Sequence, residues 1–79
     1  MRKMPLSGLR PGQQAVILKN DCEPELRARL EDLGLTLGLK VRCLHRAPSG
    51  TPTAYEIRGA AIALRQEDAA LILVEVGEP

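Results

Sequence analysis

Aromatic side chains are nearly missing from this sequence: Tyr55 stands alone, with no Trp and no Phe among 79 residues. The core must therefore be aliphatic, and the stacking platforms that hold single-stranded nucleic acid are excluded. A dominant charge is missing as well. Eleven basic residues face ten acidic ones, for a net charge of +1, so no broad field draws in nucleic acid or a membrane surface. No segment approaches the roughly 20 apolar residues of a membrane span. The opening "MRKMPLSGLRPG" has charge but no apolar run behind it and does not read as a signal peptide. Two cysteines, Cys22 and Cys43, are too few for a secreted disulfide framework and read as a reduced pair in the cytoplasm.

Neither GxxxxGK[ST] nor GxGxxG occurs, which removes the usual phosphate cradles. His45 is the only histidine. Cys43 lies two residues before it, which on one strand face separates the pair by about 7 Å, too far for a thiol–imidazole hydrogen bond. The carboxylates collect at Glu23, Glu25, Glu31 and Asp32 and again at Glu67–Asp68, where they read as solvated helix faces and caps. No catalytic set follows, and the chain is expected not to be an enzyme. The borderline metal ligands are Cys22 and His45, with Cys43 filling core as a small hydrophobe. Cys22 falls at a helix start, where the dipole favours thiolate. They are too few for a closed site within one chain, and no cofactor is expected. The alternative is an Fe²⁺ or Zn²⁺ sensor or delivery protein whose surface site is shared across a homodimer and borrows carboxylates.

What is present is a succession of short elements, expected to form one domain over residues 1–79. A chain this short buries only about 60–65% of its unfolded surface, so its core is thin. Pro11-Gly12 signals a turn and Ala15 to Lys19 a strand. Leu26, Leu30 and Leu33 fall at helical spacing, with Asn20 or Asp21 as cap and Pro24 in the first turn. The pairs Glu25–Arg29 and Arg27–Glu31 sit four residues apart on that helix.

Two glycines follow within "DLGLTLGLKV". Gly34 suits the left-handed C′ position, which would bring Leu30 against Leu35 in a Schellman ending. Gly38 repeats the layout of the first turn, Leu35-Thr36-Leu37-Gly38 against Leu9-Arg10-Pro11-Gly12, and launches a strand from Leu39 to Arg46. Val41 and Cys43 share one face of that strand; Lys40, Arg42 and Leu44 share the other. Ala47 to Pro52 is a loop. Residues 53–65 form a hairpin about Arg58-Gly59, pairing Ile57 with Ala60, Tyr55 with Ile62 and Thr53 with Leu64. One helical turn at 66–70 and a last strand, "LILVEV", complete the chain. The ends, residues 1–4 and 77–79, are expected to be loose. The fold class is mainly β: a small barrel of about five strands, with one amphipathic helix between the first two.

Leu37, Leu39, Lys40, Arg42, Leu44 and Arg46, beside Ser49 and Thr51 of the loop, form a candidate docking surface. Basic residues around exposed leucines suit an acidic partner with an apolar centre. The bland reading is an edge kept soluble by Lys and Arg.

The ordered set Arg29-Leu30, Leu33-Gly34, Gly38, Val41, Ala47-Pro48, Gly50, Pro52, Leu64-Arg65, Ala69 and the closing strand resembles the FeoA family, ferrous iron transport protein A, from about Leu6 to Val76. The resemblance implies an SH3-like barrel in the cytoplasm. It also implies a regulatory role beside FeoB, the membrane ferrous-iron transporter whose cytosolic part carries a G domain. Two positions depart from the family's habit: Leu37 stands where proline is frequent and Thr51 where aspartate is frequent. Both lie on the suspected docking side. With Tyr55 inside a hairpin, the aromatic groove by which eukaryotic SH3 domains hold proline-rich peptides is not expected.

Overall fold

Six antiparallel strands, not five, make one sheet in the computed structural model, which describes residues 2–49 and 51–77. In chain order the elements are β1 (Arg2–Pro5), a 3₁₀ turn (Leu6–Gly8), β2 (Gln14–Asn20), α1 (Pro24–Asp32), β3 (Lys40–Arg46), β4 (Thr53–Ile57), β5 (Ala60–Leu64), the one-turn α2 (Gln66–Ala69) and β6 (Ile72–Val76). The strand missed by sequence is β1. It pairs with β6, setting Lys3 opposite Glu75 and Met4 opposite Val74. Leu6, fully buried just after it, anchors the segment, so Arg2 to Met4 are not loose. Of the other expectations, the loop glycine Gly50 and the loose ends Met1, Glu78 and Pro79 lie outside the described residues.

The helix ends as its sequence dictates. Gly34 has φ +105°, its N–H donates to the Glu31 carbonyl at 3.0 Å, and the Leu35 N–H donates to Leu30 at 2.9 Å. Those are the two bonds of a Schellman ending, and Leu30 and Leu35 are both buried. The helix start differs from expectation. Glu23 is the N-cap, Pro24 follows at the first position, and no side chain caps it. Asn20 instead accepts the Cys22 N–H at 3.0 Å, using its amide to turn the chain between β2 and α1. Leu33 is half-exposed, because the left-handed step hands the inner position to Leu35. Among the described residues the ion pairs are Lys19–Asp21 and Arg42–Glu56; the two helix pairs expected from spacing are not formed.

The β4–β5 hairpin has the register its sequence implies, from Ile57↔Ala60 to Thr53↔Leu64. Arg58 (φ +51°) and Gly59 (φ +83°) both turn left-handed, matching the strand twist. Tyr55 is fully buried, and its hydroxyl donates to the Leu6 carbonyl at 3.3 Å. The only aromatic ring thus bridges β4 to the 3₁₀ turn across the core, and none is left for an outer groove. Ile17, Val41, Cys43, Ile57, Ile72 and Val74 complete the inner face of the sheet.

The order β1–β6–β2–β3–β4–β5 divides between β2 and β3 into two triplets related by a local two-fold axis. The Gly12 N–H donates to Cys43 at 2.7 Å and the Cys43 N–H to Gln13 at 3.0 Å; reciprocally, the Gly38 N–H donates to Ile17 at 2.7 Å and the Ile17 N–H to Leu39 at 2.9 Å. Register shifts fall at the same step, between Ile17 and Lys19 and between Cys43 and His45. Glu75 of β6 then corresponds to Glu56 of β4, and Met4 of β1 to Ile62 of β5.

Candidate docking surface

The outer face of β3 begins at the turn that launches it. Thr36 accepts the Leu39 N–H at 3.1 Å, with Gly38 at φ +86° in the third position, the type II arrangement. This sets Leu37 at the tip, 68% exposed. The two backbone bonds of this turn hold the Leu37 backbone in place, so its exposed side chain is presented from a fixed point. Leu39 is half-buried and packs on the core. Lys40 is exposed. Arg42 lies flat across the sheet, its guanidinium 3.1 Å from Glu56, the residue registered opposite it on β4. Its Nε–H is shut off from solvent without an acceptor. Leu44 occupies the bulge and is half-buried.

Three residues of the expected surface are engaged within the fold. The Arg46 guanidinium turns inward to donate to the carbonyls of Ser7, at 2.9 Å, and Leu9. The bulge at Leu44 reverses the alternation, and that reversal brings Arg46 round to the 3₁₀ turn. Ser49 donates its hydroxyl to the Thr51 carbonyl at 2.8 Å. The Thr51 hydroxyl accepts the Gln66 N–H at 3.1 Å, serving the first turn of α2. Lys40, Arg42 and Leu44 remain on the outer face of β3, and Leu37 is exposed at the turn before it.

Residues that sequence reasoning passed over complete it. A notch of about 190 Å³ is lined by Gln14, Lys40, Arg42, Glu56, Arg58 and Gly59. Gln14 arrives through its pairing with Arg42, and Arg58 through the hairpin turn. Sequence carried no signal for Glu56 and Arg58, since the β3–β4 register that sets Glu56 beside Arg42 passes through a bulge. The notch holds three cations and one carboxylate, a basic recess along the strand that follows the exposed Leu37 turn.

The metal candidates do not come together. Among the described residues no three of His, Cys, Asp and Glu are placed to hold an ion. Cys22 is buried, and its thiol donates to the Asp68 carbonyl at 3.5 Å. Burial, then the carboxylates of Asp68 and Asp21, push its pKa up, so the thiol form is favoured, against the thiolate expected at a helix start. Cys43 is buried with its thiol pushed up by the same desolvation. The bulge separates it from His45, which is exposed. Among the described residues of one chain, the donors therefore do not form an Fe²⁺ or Zn²⁺ centre.

No helix is long and apolar enough to cross a membrane among the described residues. Comparison with known proteins gives a consistent relation. The model of the FeoA domain matches residues 4–76. A Fe(2+) transport protein A/Fe(2+) transporter FeoB fusion protein of Porphyromonas gingivalis is 37% identical over 73 residues, which is 92% of this chain and 9% of that relative's length. The solution structure of FeoA from Chlorobium tepidum superposes with a TM-score of 0.89 at 37% identity, covering 92% of this chain and 70% of the other. FeoA of Stenotrophomonas maltophilia, solved with zinc and described as a prokaryotic SH3 domain protein, gives 0.80 at 28% identity, covering 91% and 89%. With an SH3-like sheet, the matching turns and a family match across nearly its whole length, the chain belongs to the FeoA family of ferrous iron transport proteins.

Proposed function

We propose that this chain, a single domain over residues 1–79, is a non-enzymatic regulatory protein of ferrous iron uptake in the cytoplasm that docks on the cytosolic region of a FeoB-type transporter. The observation that carries the reading is the P. gingivalis relative, in which a segment 37% identical to this chain is fused to a FeoB transporter. A covalent link raises the effective concentration of one module beside the other, an arrangement suited to two parts that act by contact. The surface that supports it is the Leu37 tip together with Lys40, Arg42, Leu44 and Arg58. An apolar anchor and a basic recess fit an acidic segment with a leucine-sized pocket.

The test is a pull-down of the transporter's cytosolic region with Leu37→Ser/Lys40→Glu. Loss of an apolar anchor and reversal of a flanking charge should weaken binding by about 10- to 100-fold, with no change in melting temperature. Unchanged binding removes this face. Arg46→Glu is unsuitable for the purpose, because it buries a carboxylate against two carbonyl oxygens and would lower stability whatever its effect on docking. A titration with proline-rich PxxP peptides should show no binding at micromolar concentration, since the ring such peptides need is Tyr55, inside the core.

A further inference from the structure

The two outermost strands, β1 and β5, occupy equivalent places about the local two-fold axis, yet they are finished differently. β1 reads Arg-Lys-Met-Pro, whereas β5 reads Ala-Ala-Ile-Ala-Leu. Through their registers on β6 and β4, Lys3 corresponds to Ala61 and Pro5 to Ala63. Sheet edges are protected from further pairing by lysine, which carries charge, and by proline, which offers no N–H. β1 has one of each. β5 has neither, and no charge anywhere along its five residues.

A two-residue hairpin turn makes Ile57 and Ala60 a hydrogen-bonded pair, and pairs then alternate along the ladder. Ala60, Ile62 and Leu64 thus direct their backbone groups to β4. Ala61 and Ala63 direct theirs to the free edge, and both are exposed. Ile62, on the inner face, is only partly buried. A groove of about 500 Å³ separates this edge from α1, lined by Leu26 and Arg29 on one side and Ala63, Leu64 and Arg65 on the other.

We propose that β5 is a pairing edge for β5 of a second copy of this chain, giving an antiparallel, two-fold symmetric dimer with Ile62 on the axis. The segment suits its own inverse. With Ile62 opposite Ile62 of the second copy, Ala61 falls opposite Ala63 of the other chain, and those two residues exchange the backbone bonds they leave unmade. The small side chains at both places let the strands approach, and the two isoleucines cover each other's exposed flank. At the ends of the ladder, Arg58 falls opposite Gln66 of the second copy, between its Arg65 and the acidic first turn of its α2, Glu67 and Asp68, so two carboxylates outweigh one like charge. β1 is blocked, so the contact joins β5 to β5 and closes at two copies instead of running on as a filament. Five paired residues bury less than the 1,200–2,000 Å² or so of a standard interface, so the dimer is reversible and concentration-dependent.

Sedimentation equilibrium of the 79-residue chain from about 10 μM to 1 mM reads the proposal directly. The weight-average mass should rise toward two copies, and the amides of Ala61 and Ala63 should gain exchange protection with concentration. Ala61→Lys/Ala63→Lys sets like charges across the axis at exposed positions and should give a monomer with an unchanged melting curve. Mixing it with Ala61→Glu/Ala63→Glu should restore the dimer as a heterodimer, since each lysine then meets a glutamate. A wild-type chain that stays monomeric at 1 mM overturns the proposal, as does a dimer indifferent to the lysine pair. Transporter binding reads separately, through Leu37→Ser/Lys40→Glu.

Discussion

Leu9–Asn20 and Leu35–Arg46 are two versions of one device. Each runs from a buried leucine through a glycine turn into a seven-residue strand, and β2 and β3 bury the same positions in the same order. Ile17 and Cys43 sit at matching core positions and receive matching bonds from the opposite turn. The inner faces are interchangeable in pattern; the outer ones are not. β2 presents Gln14, Val16 and Leu18 outward, whereas β3 presents Lys40, Arg42 and Leu44. The turn tips differ likewise, Pro11 against Leu37. One backbone solution thus serves twice as scaffold, and the cations of the candidate docking surface, Lys40, Arg42 and Arg58, all come from the second half.

Four measurements test that comparison. Ile17→Ala removes a fully buried side chain from the first half and should cost about 2–5 kcal/mol in denaturant unfolding. Cys43→Ala, at the equivalent place, removes only sulfur and should cost well under half as much. Equal losses would mean the two positions are not packed alike. Gly12→Ala and Gly38→Ala each force a left-handed alanine with open space around the new Cβ. Each should cost about 1 kcal/mol, and the two should agree within about 0.5 kcal/mol if the turns are equivalent.

The reciprocal exchange at the tips is smaller. Leu37→Pro suits the second position of a type II turn and should stabilise by about 0.4–1 kcal/mol, and Pro11→Leu should lose a similar amount. Leu37→Pro should also weaken the proposed transporter docking, which Pro11→Leu should leave intact. The smallest effect, near neutrality, is that of pH. Burial pushes up the thiols of Cys22 and Cys43 and the phenol of Tyr55. The folded chain therefore holds protons that the unfolded one begins to release near pH 8.5. The stabilisation is complete below that value and is lost as pH rises through the raised folded values. Melting temperature should be insensitive to these groups from pH 6 to 8 and fall above about pH 9, with a later onset in Cys22→Ala/Cys43→Ala.

Sequence carried the fold wherever one residue type had one conformational solution. Gly34, Gly38 and the Arg58-Gly59 turn fixed the helix end, the β3 start and the hairpin register without appeal to anything distant. β1 was not legible, because Arg2–Pro5 has neither alternation nor branched residues; it is a strand only because β6 lies beside it. The bulges at Leu18 and Leu44 were equally invisible, and the second redirected Arg46 from the surface to the carbonyls of Ser7 and Leu9. The candidate docking surface was half legible for the same reason. Lys40, Arg42 and Leu37 follow from strand alternation and a turn, whereas Arg58 joins them only through the order of strands. Gly34 carries a second constraint that sequence does not announce: a Cβ there would lie 2.5 Å from Cδ of Arg58, so the helix end and the hairpin tip rest on each other.

The buried phenol of Tyr55 gives the protein a natural optical gauge. With no tryptophan to mask it, near-ultraviolet emission and circular dichroism come from one ring, tethered to the backbone of the amino-terminal segment. A change in that signal reads out whether the first strand and the 3₁₀ turn are seated on the sheet, without any label being added.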